Sequence, residues 1–471
     1  MNAVWQQITL SQLSVREWRQ ASYLHRALGF VRRWRKGSWL MQWADAIGAL
    51  LVAIVFALAP FVPTTLTGVL LFACACFWVL LTLSDEADGN MTPIHLLVLL
   101  YLGIATVATA LSPVKMAALD GLVKLGMYII LFALMSRVLR SPRIRSVLIT
   151  VYLLTALVIS TEGIRQWFFG ARALATWVDA ESSLAGTTRV YSYLGNPNLL
   201  AGYLLPAVML SAAAFFVWRR WLPKLLALVM TVMSAVCVVL TFSRGGWIGF
   251  VLGGFVFLLL LVNWWSVYLP RFWRKWAFPL VLGGAIGFVL LGVLLVAPLR
   301  DRVLSMFVGR NDSSNNFRLN VWASVRQMIR DRPILGIGPG NDAFNLVYPR
   351  YQATGFTALS AYSVFLEIAV ETGLIGLGCF LWFLLVTFNS GWHRLQQLRD
   401  TGNRQGFWLM GAMAAMVGML GHGLVDTVWY RPPVATLWWL MVAIVASFYL
   451  GRSGAEVGQK QYQPPAELTD G

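Results

Sequence analysis

The sequence predicts an all-α, polytopic membrane protein with about twelve transmembrane helices and two long loops on one face. Three observations carry that prediction. Of the 471 residues, 58% are apolar and only 12% charged. Apolar runs of membrane-spanning length recur along the chain, and Lys and Arg collect in every second connection between them. Such a composition belongs to chains whose solvent is a bilayer rather than water.

A helical span needs about 20 mostly apolar residues. Stretches meeting that requirement fall at 45–62, 66–83, 93–112, 118–139, 145–162, 197–218, 223–242, 245–262, 277–297, 361–388, 406–424 and 433–450. Residues 1–44 form a polar, basic arm without the short apolar stretch and small-residue cleavage site of a signal peptide, so the arm is expected to stay in the cytoplasm. An even number of crossings returns the chain to that side. There the polar segment 451–471, with Pro464 and Pro465, is expected to be a disordered tail. The core domain is therefore 45–450.

Orientation has an independent test, because Lys and Arg in short loops mark the cytoplasmic side. The arm carries Arg16, Arg19, Arg26, Arg32, Arg33, Arg35 and Lys36. Alternate connections repeat the pattern with Arg137, Arg140, Arg143 and Arg145, then Arg219, Arg220 and Lys224, then Arg271, Arg274 and Lys275, and last Arg394, Arg399 and Arg404. The net charge of +17 is thus mostly an insertion signal, with a basic arm suited to anionic lipid. It does not argue for nucleic acid. The expected location is a membrane, crossed many times.

Metal and nucleotide chemistry find little support. Cys74, Cys76, Cys237 and Cys379 all fall inside apolar spans, where they act as small hydrophobes. His25, His95, His393 and His422 are too scattered for a ligand set. The GIGPG at 336–340 lacks the flanking strand and the Lys-Ser/Thr of a phosphate loop, and reads as a Gly/Pro turn. Neither a metal nor another cofactor is expected.

Two connections are too long to be turns, Gly163 to Asn196 and Pro298 to about Ser360, and long loops are where function tends to sit. In FRLNVWASVRQMI, Leu319, Trp322, Val325 and Ile329 share one helical face, with Arg318, Arg326 and Arg330 elsewhere. This predicts an amphipathic helix lying on the membrane or lidding a cavity.

Ionisable groups inside spans are costly, so each one asks for a partner or a cavity. Asp120 and Lys124, four apart, are expected to neutralise each other. Arg244, in TFSRGGWIGF, sits between two apolar runs at the outer face, as a lipid anchor or an anion site. His422 and Asp426, four apart, read as a structural hydrogen bond or a proton relay. Glu367 and Glu371 place two carboxylates one turn apart at the outer end of the tenth span.

GNPNLLAGYL (Gly195 to Leu204), SRGGW (Ser243 to Trp247), FRLNVW, DRPILGIGPGNDAF and LEIAVETGLIGL occur in that order. The ordered set resembles the O-antigen ligase and polymerase superfamily over roughly residues 90 to 445. That resemblance implies glycan transfer from an undecaprenyl-diphosphate carrier, with outer arginines holding the diphosphate and a loop histidine acting as base. The arginines matching the pattern are Arg244 and Arg318, while Tyr362 stands where the histidine is expected. Glu371 belongs to the motif and is expected to position an outer arginine.

The combination of TALSAYSVFLEIAVETG, SLAGTTRVYSYLGNPN and LVDTVWYRPPVATLWWL is similar to a cyanobacterial branch of that superfamily named for bicarbonate, or inorganic-carbon, transport. Two functions therefore stand open. One is accumulation of a small anion such as bicarbonate through an arginine site. The other is glycosyl transfer from a lipid-linked diphosphate glycan. Tyr362 in place of histidine favours the first, and the long second loop favours the second.

Overall fold

The computed structural model describes residues 3–10, 38–84, 91–171, 188–295, 297–304 and 309–449. Among them the secondary structure is helical, with no strand. In chain order the helices are α1 (Ala3–Ile8), α2 (Trp39–Gln42), α3 (Ala44–Leu58), α4 (Thr64–Ser84), α5 (Pro93–Ala110), α6 (Lys115–Val138), α7 (Pro142–Phe169), α8 (Pro197–Val217), α9 (Trp221–Leu240), α10 (Arg244–Trp265), α11 (Arg271–Leu295), α12 (Ala297–Leu304), α13 (Ser313–Asp331), α14 (Asn341–Val347), α15 (Val364–Asp400), α16 (Gly406–Gly423) and α17 (Pro432–Ser447). Most of the basic arm and the tail after Tyr449 lie outside the described residues, as does much of the first long loop.

Each of the twelve apolar stretches is helical, but they do not all have spanning length. Among the described residues nine helices, α4 to α11 and α15, are long and apolar enough to cross a membrane. Two others, α3 and α17, are apolar but shorter. Helix α16 is 18 residues long, and its last turn carries His422. The protein is a multi-pass membrane protein.

Burial sorts the helices by position. In α8, 83% of the apolar window is buried, against 28% in α4 and in α9. Helix α8 is apolar all round and enclosed by protein, whereas α4 and α9 present an outer face to lipid. Helices α16 and α17 are buried along nearly their whole lengths and complete the centre.

Helices α10 and α16 approach most closely through glycine. A methyl group added at Gly249 would stand 2.3 Å from the Gly418 carbonyl oxygen. Without a strong hydrophobic force between helices in lipid, such small-residue seams give the backbones their contact. The seam fixes the axial register, so the first turn of α10 lies against His422 in the last turn of α16.

The second long loop folds over one end of this bundle as α12, α13 and α14, with its own apolar cluster of Val321, Val325, Met328, Phe344 and Tyr348 reaching Val370 of α15. The amphipathic helix exists, but its buried stripe is Val321, Val325 and Met328. Leu319, Trp322 and Ile329 are only partly buried, because the helix is rolled to face α15 rather than lying flat.

Helix α15 breaks at Gly373, which has φ 70°. Pro333 to Gly338 fills the break: Leu374 N–H donates to the Pro333 carbonyl at 2.8 Å, and the Ile337 and Gly338 N–H groups donate to the Val370 and Glu371 carbonyls at 2.9 Å each. The GIGPG turn thus satisfies backbone groups that a helix break would strand in an apolar setting.

Candidate functional site

The site begins at the turn joining α9 to α10. Thr241 closes α9, Phe242 adopts a left-handed φ of 50°, and Ser243 caps α10 by accepting the Gly246 N–H at 3.1 Å. Arg244 is therefore the first residue of α10, at the loop-covered end of the bundle. The turn leaves carbonyls at the negative end of α9, and two arginines meet them. Arg189 Nε donates to the Thr241 oxygen at 3.0 Å, and Arg302 donates to the Phe242 oxygen from Nε at 3.2 Å and Nη2 at 3.1 Å. Arg189 also reaches Asn198 Oδ1 at 3.3 Å, tying the start of α8 to the same place.

Helix α13 supplies the other wall. Its cap, Asp312, accepts the Asn315 N–H at 2.9 Å and fills the fork of Arg244 with both carboxylate oxygens. Arg244 Nη1 also donates to Asn315 Oδ1 at 2.7 Å. One turn along α13, Arg318 donates from Nη1 to Ser314 Oγ at 2.7 Å and from Nε to the Val425 carbonyl at 2.9 Å. Its Nη2 lies 3.9 Å from Asp426 Oδ2. Arg244 and Arg318 thus both engage the first turn of α13.

Four guanidinium groups, Arg189, Arg244, Arg302 and Arg318, face two carboxylates, Asp312 and Asp426, and feel one another's charge. Burial, reinforced by the neighbouring arginines, pushes Arg189 and Arg302 below the usual guanidinium range. Burial lifts the Asp312 carboxyl, but the Arg244 fork, the Asn315 N–H and the charges of Arg244 and Arg302 outweigh it and hold that carboxyl below its ordinary value. The N-termini of α8, α10 and α13 end here as well, adding their positive dipole ends. The cluster has an excess of positive charge in a half-dry setting.

Tyr362 stands beside this cluster and immediately before α15. Its ring packs edge-to-face on Phe317 at 5.3 Å, and its carbonyl accepts Trp322 Nε1 at 3.4 Å. Burial, helped by the Asp426 charge, pushes its phenol up to about 12. A phenol held so far above neutrality stays protonated and cannot serve as a base at pH 7.

The carboxylates of α15 are occupied elsewhere. Glu371 accepts the Gly340 N–H at 2.8 Å and so anchors the GIGPG turn, rather than positioning an arginine. Glu367 Oε2 accepts the Ala361 N–H at 2.6 Å and the Thr427 hydroxyl at 3.4 Å, clamping the segments on either side of Tyr362 and Asp426. The reason is geometric: the break at Gly373 brings the 333–340 segment against the same face of α15.

His422 and Asp426 are near neighbours but not a hydrogen-bonded pair. Helix α16 ends at Gly423, so the four-residue spacing does not continue in helical geometry. Asp426 instead accepts the Thr427 N–H at 2.8 Å, while both ring nitrogens of the fully buried His422 have no hydrogen-bond partner among the described residues. Lys124 pairs with Asp342 of α14 at 2.8 Å rather than with Asp120.

Sequence reasoning found Arg244 and Arg318 but missed Arg189, Arg302 and Asp312. Asp312 had a usable signal, since NDSSN before an amphipathic run is a helix-start pattern. Arg189 and Arg302 carry no local signal, because their partners are carbonyls exposed by a distant turn. Residues 229–381 match the O-antigen ligase family. The matched stretch runs from α9 into α15 and contains Arg244, Asp312, Arg302, Arg318, Tyr362 and Glu371, while Arg189, His422 and Asp426 lie beyond it. No curated protein matches the chain.

Proposed function

We propose that the arginine cluster binds the diphosphate of a lipid-linked glycan and that the protein transfers that glycan to an acceptor. The observation that carries this reading is the meeting of Arg189, Arg244, Arg302 and Arg318 at three helix N-termini, the last three within the stretch that matches the O-antigen ligase family. Guanidinium is suited to the task because it stays charged when partly desolvated and offers a planar fork to pairs of phosphate oxygens. In this reading the loop-covered end faces the periplasm and the opposite, Arg-rich end faces the cytoplasm of a bacterial inner membrane. The basic clusters around Arg137, Arg220 and Arg399 lie at the ends of helices away from the long loops, as the positive-inside rule requires.

The chemistry asked of the protein is to neutralise the departing diphosphate and orient the acceptor hydroxyl. Tyr362 takes no proton in this scheme. Asp426, whose Oδ2 lies 3.9 Å from Arg318 Nη2, is the carboxylate to which we assign the acceptor's proton.

A second reading, binding of bicarbonate for inorganic-carbon accumulation, has one observation in its favour. The fork of Arg244 already holds a carboxylate, the shape bicarbonate would present. The two readings separate in one experiment on purified protein in lipid vesicles: glycan transfer from a polyprenyl-diphosphate donor, measured beside uptake of labelled bicarbonate. Transfer that disappears in Arg318→Ala supports the first; uptake without transfer replaces it with the second.

A further inference from the structure

The Arg244 fork is enclosed, and it is filled by a residue of the chain itself. Arg244 is 6% exposed, and Asp312 binds it through both oxygens while capping α13. Any anion that uses this fork must first displace Asp312. We propose that Asp312 is an internal competitor that sets an affinity threshold at the Arg244 fork, which a weakly held monoanion does not pass and a polyanion gripping a second arginine does.

The physical argument is one of competition. Asp312 is tethered at the fork, so its local concentration is far above that of a free solute. A monoanion such as bicarbonate or acetate offers the same single fork and the same charge, and gains little by exchange. A diphosphate brings more charge and more oxygens, and can engage Arg318 or Arg302 while it replaces Asp312 at Arg244. The displaced carboxylate still has a partner, because the Asn315 N–H remains beside it. This inference rests on the proposed diphosphate site and adds to it a reason why a small carboxylate-like anion is excluded.

The test uses the full chain in lipid nanodiscs with inorganic pyrophosphate and bicarbonate as probes, comparing wild type with Asp312→Asn. Asparagine caps helices about as well as aspartate, so α13 keeps its start while the competing charge is removed. The expected result is tighter binding of both probes by a similar factor, roughly tenfold or more, because the same displacement is removed for each. Asp301→Asn, which removes a charge paired with Arg300 at 3.6 Å rather than one in the Arg244 fork, should leave both affinities within about twofold.

A purely structural ion pair behaves otherwise: Asp312→Asn would weaken binding of both probes or leave both affinities unchanged. That result, with pyrophosphate binding lost in Arg244→Ala, overturns the competitor role and leaves the diphosphate site standing. Pyrophosphate binding that survives Arg244→Ala removes the site and the competitor together.

Discussion

Arg244 shows why residue identity matters more here than charge. Its fork is set by the first turn of α10 and engaged from two directions by α13. Lysine would keep the charge but lose the bidentate geometry. Arg244→Ala is therefore expected to lower diphosphate affinity by roughly 10- to 100-fold, with Arg244→Lys intermediate; equal affinities for wild type and both variants would make Arg244 only a structural partner of Asp312. Tyr362→Phe should leave activity within about threefold, because a hydroxyl pushed up to about 12 contributes packing rather than proton transfer. A drop of several orders of magnitude with folded protein would contradict that.

Asp312 gives a pH dependence with a definite sign. Its carboxyl is held below its unfolded value, so the stability it adds is present above about pH 4 and is lost as pH falls through the lower folded value. Hydrogen exchange of the α13 amides should be flat in its opening free energy from pH 8 to pH 5 and show loosening only in stronger acid. Loosening already near pH 6 would mean another group controls the docking of α13.

At the scale of elements, the site is positioned by two backbone devices. The Gly249 and Gly418 seam sets the register of α10 on α16, and through it the height of Arg244. Gly249→Val should force the helices apart, destabilise the protein by roughly 1–3 kcal/mol and weaken anion binding in the same variant. Unchanged thermal stability would show that the two helices can slide freely. The second device is the break in α15 at Gly373, where a methyl group would stand 2.0 Å from the Ile334 carbonyl oxygen. It admits the 333–340 segment that Glu371 then anchors.

Those devices explain what was and was not legible in the sequence. Apolar run lengths and alternating basic connections announced the helices, because both follow directly from the bilayer. Arg244 and Arg318 were legible through the motifs around them. The roles of Glu371, Lys124 and His422 were not. His422 loses its expected partner because α16 ends at Gly423, Lys124 is drawn from Asp120 to Asp342 of α14, and Glu371, expected to position an arginine, is taken by the Gly340 N–H of the segment that the break at Gly373 admits. The shift of the α13 stripe to Val321, Val325 and Met328 has a similar origin, since tertiary packing against α15 decides which of two overlapping apolar faces is buried.

For the whole molecule, a diphosphate site of this kind requires every arginine of the cluster on one side of the membrane and the alternating basic connections on the other. A reporter fused near Asn341 should be active only in the periplasm, and one near Gly402 only in the cytoplasm; the reverse would turn the cluster away from any acceptor outside the cell membrane. The central claim is that Arg244 and Arg318 act together on one diphosphate. Its most direct measurement is the affinity of purified protein for a polyprenyl-diphosphate-linked oligosaccharide in a double-mutant cycle of Arg244→Ala and Arg318→Ala. The account predicts that either substitution removes most of the binding and that the double variant loses little more, because both contact the same ligand. Fully additive losses, or no loss from either substitution, would contradict it.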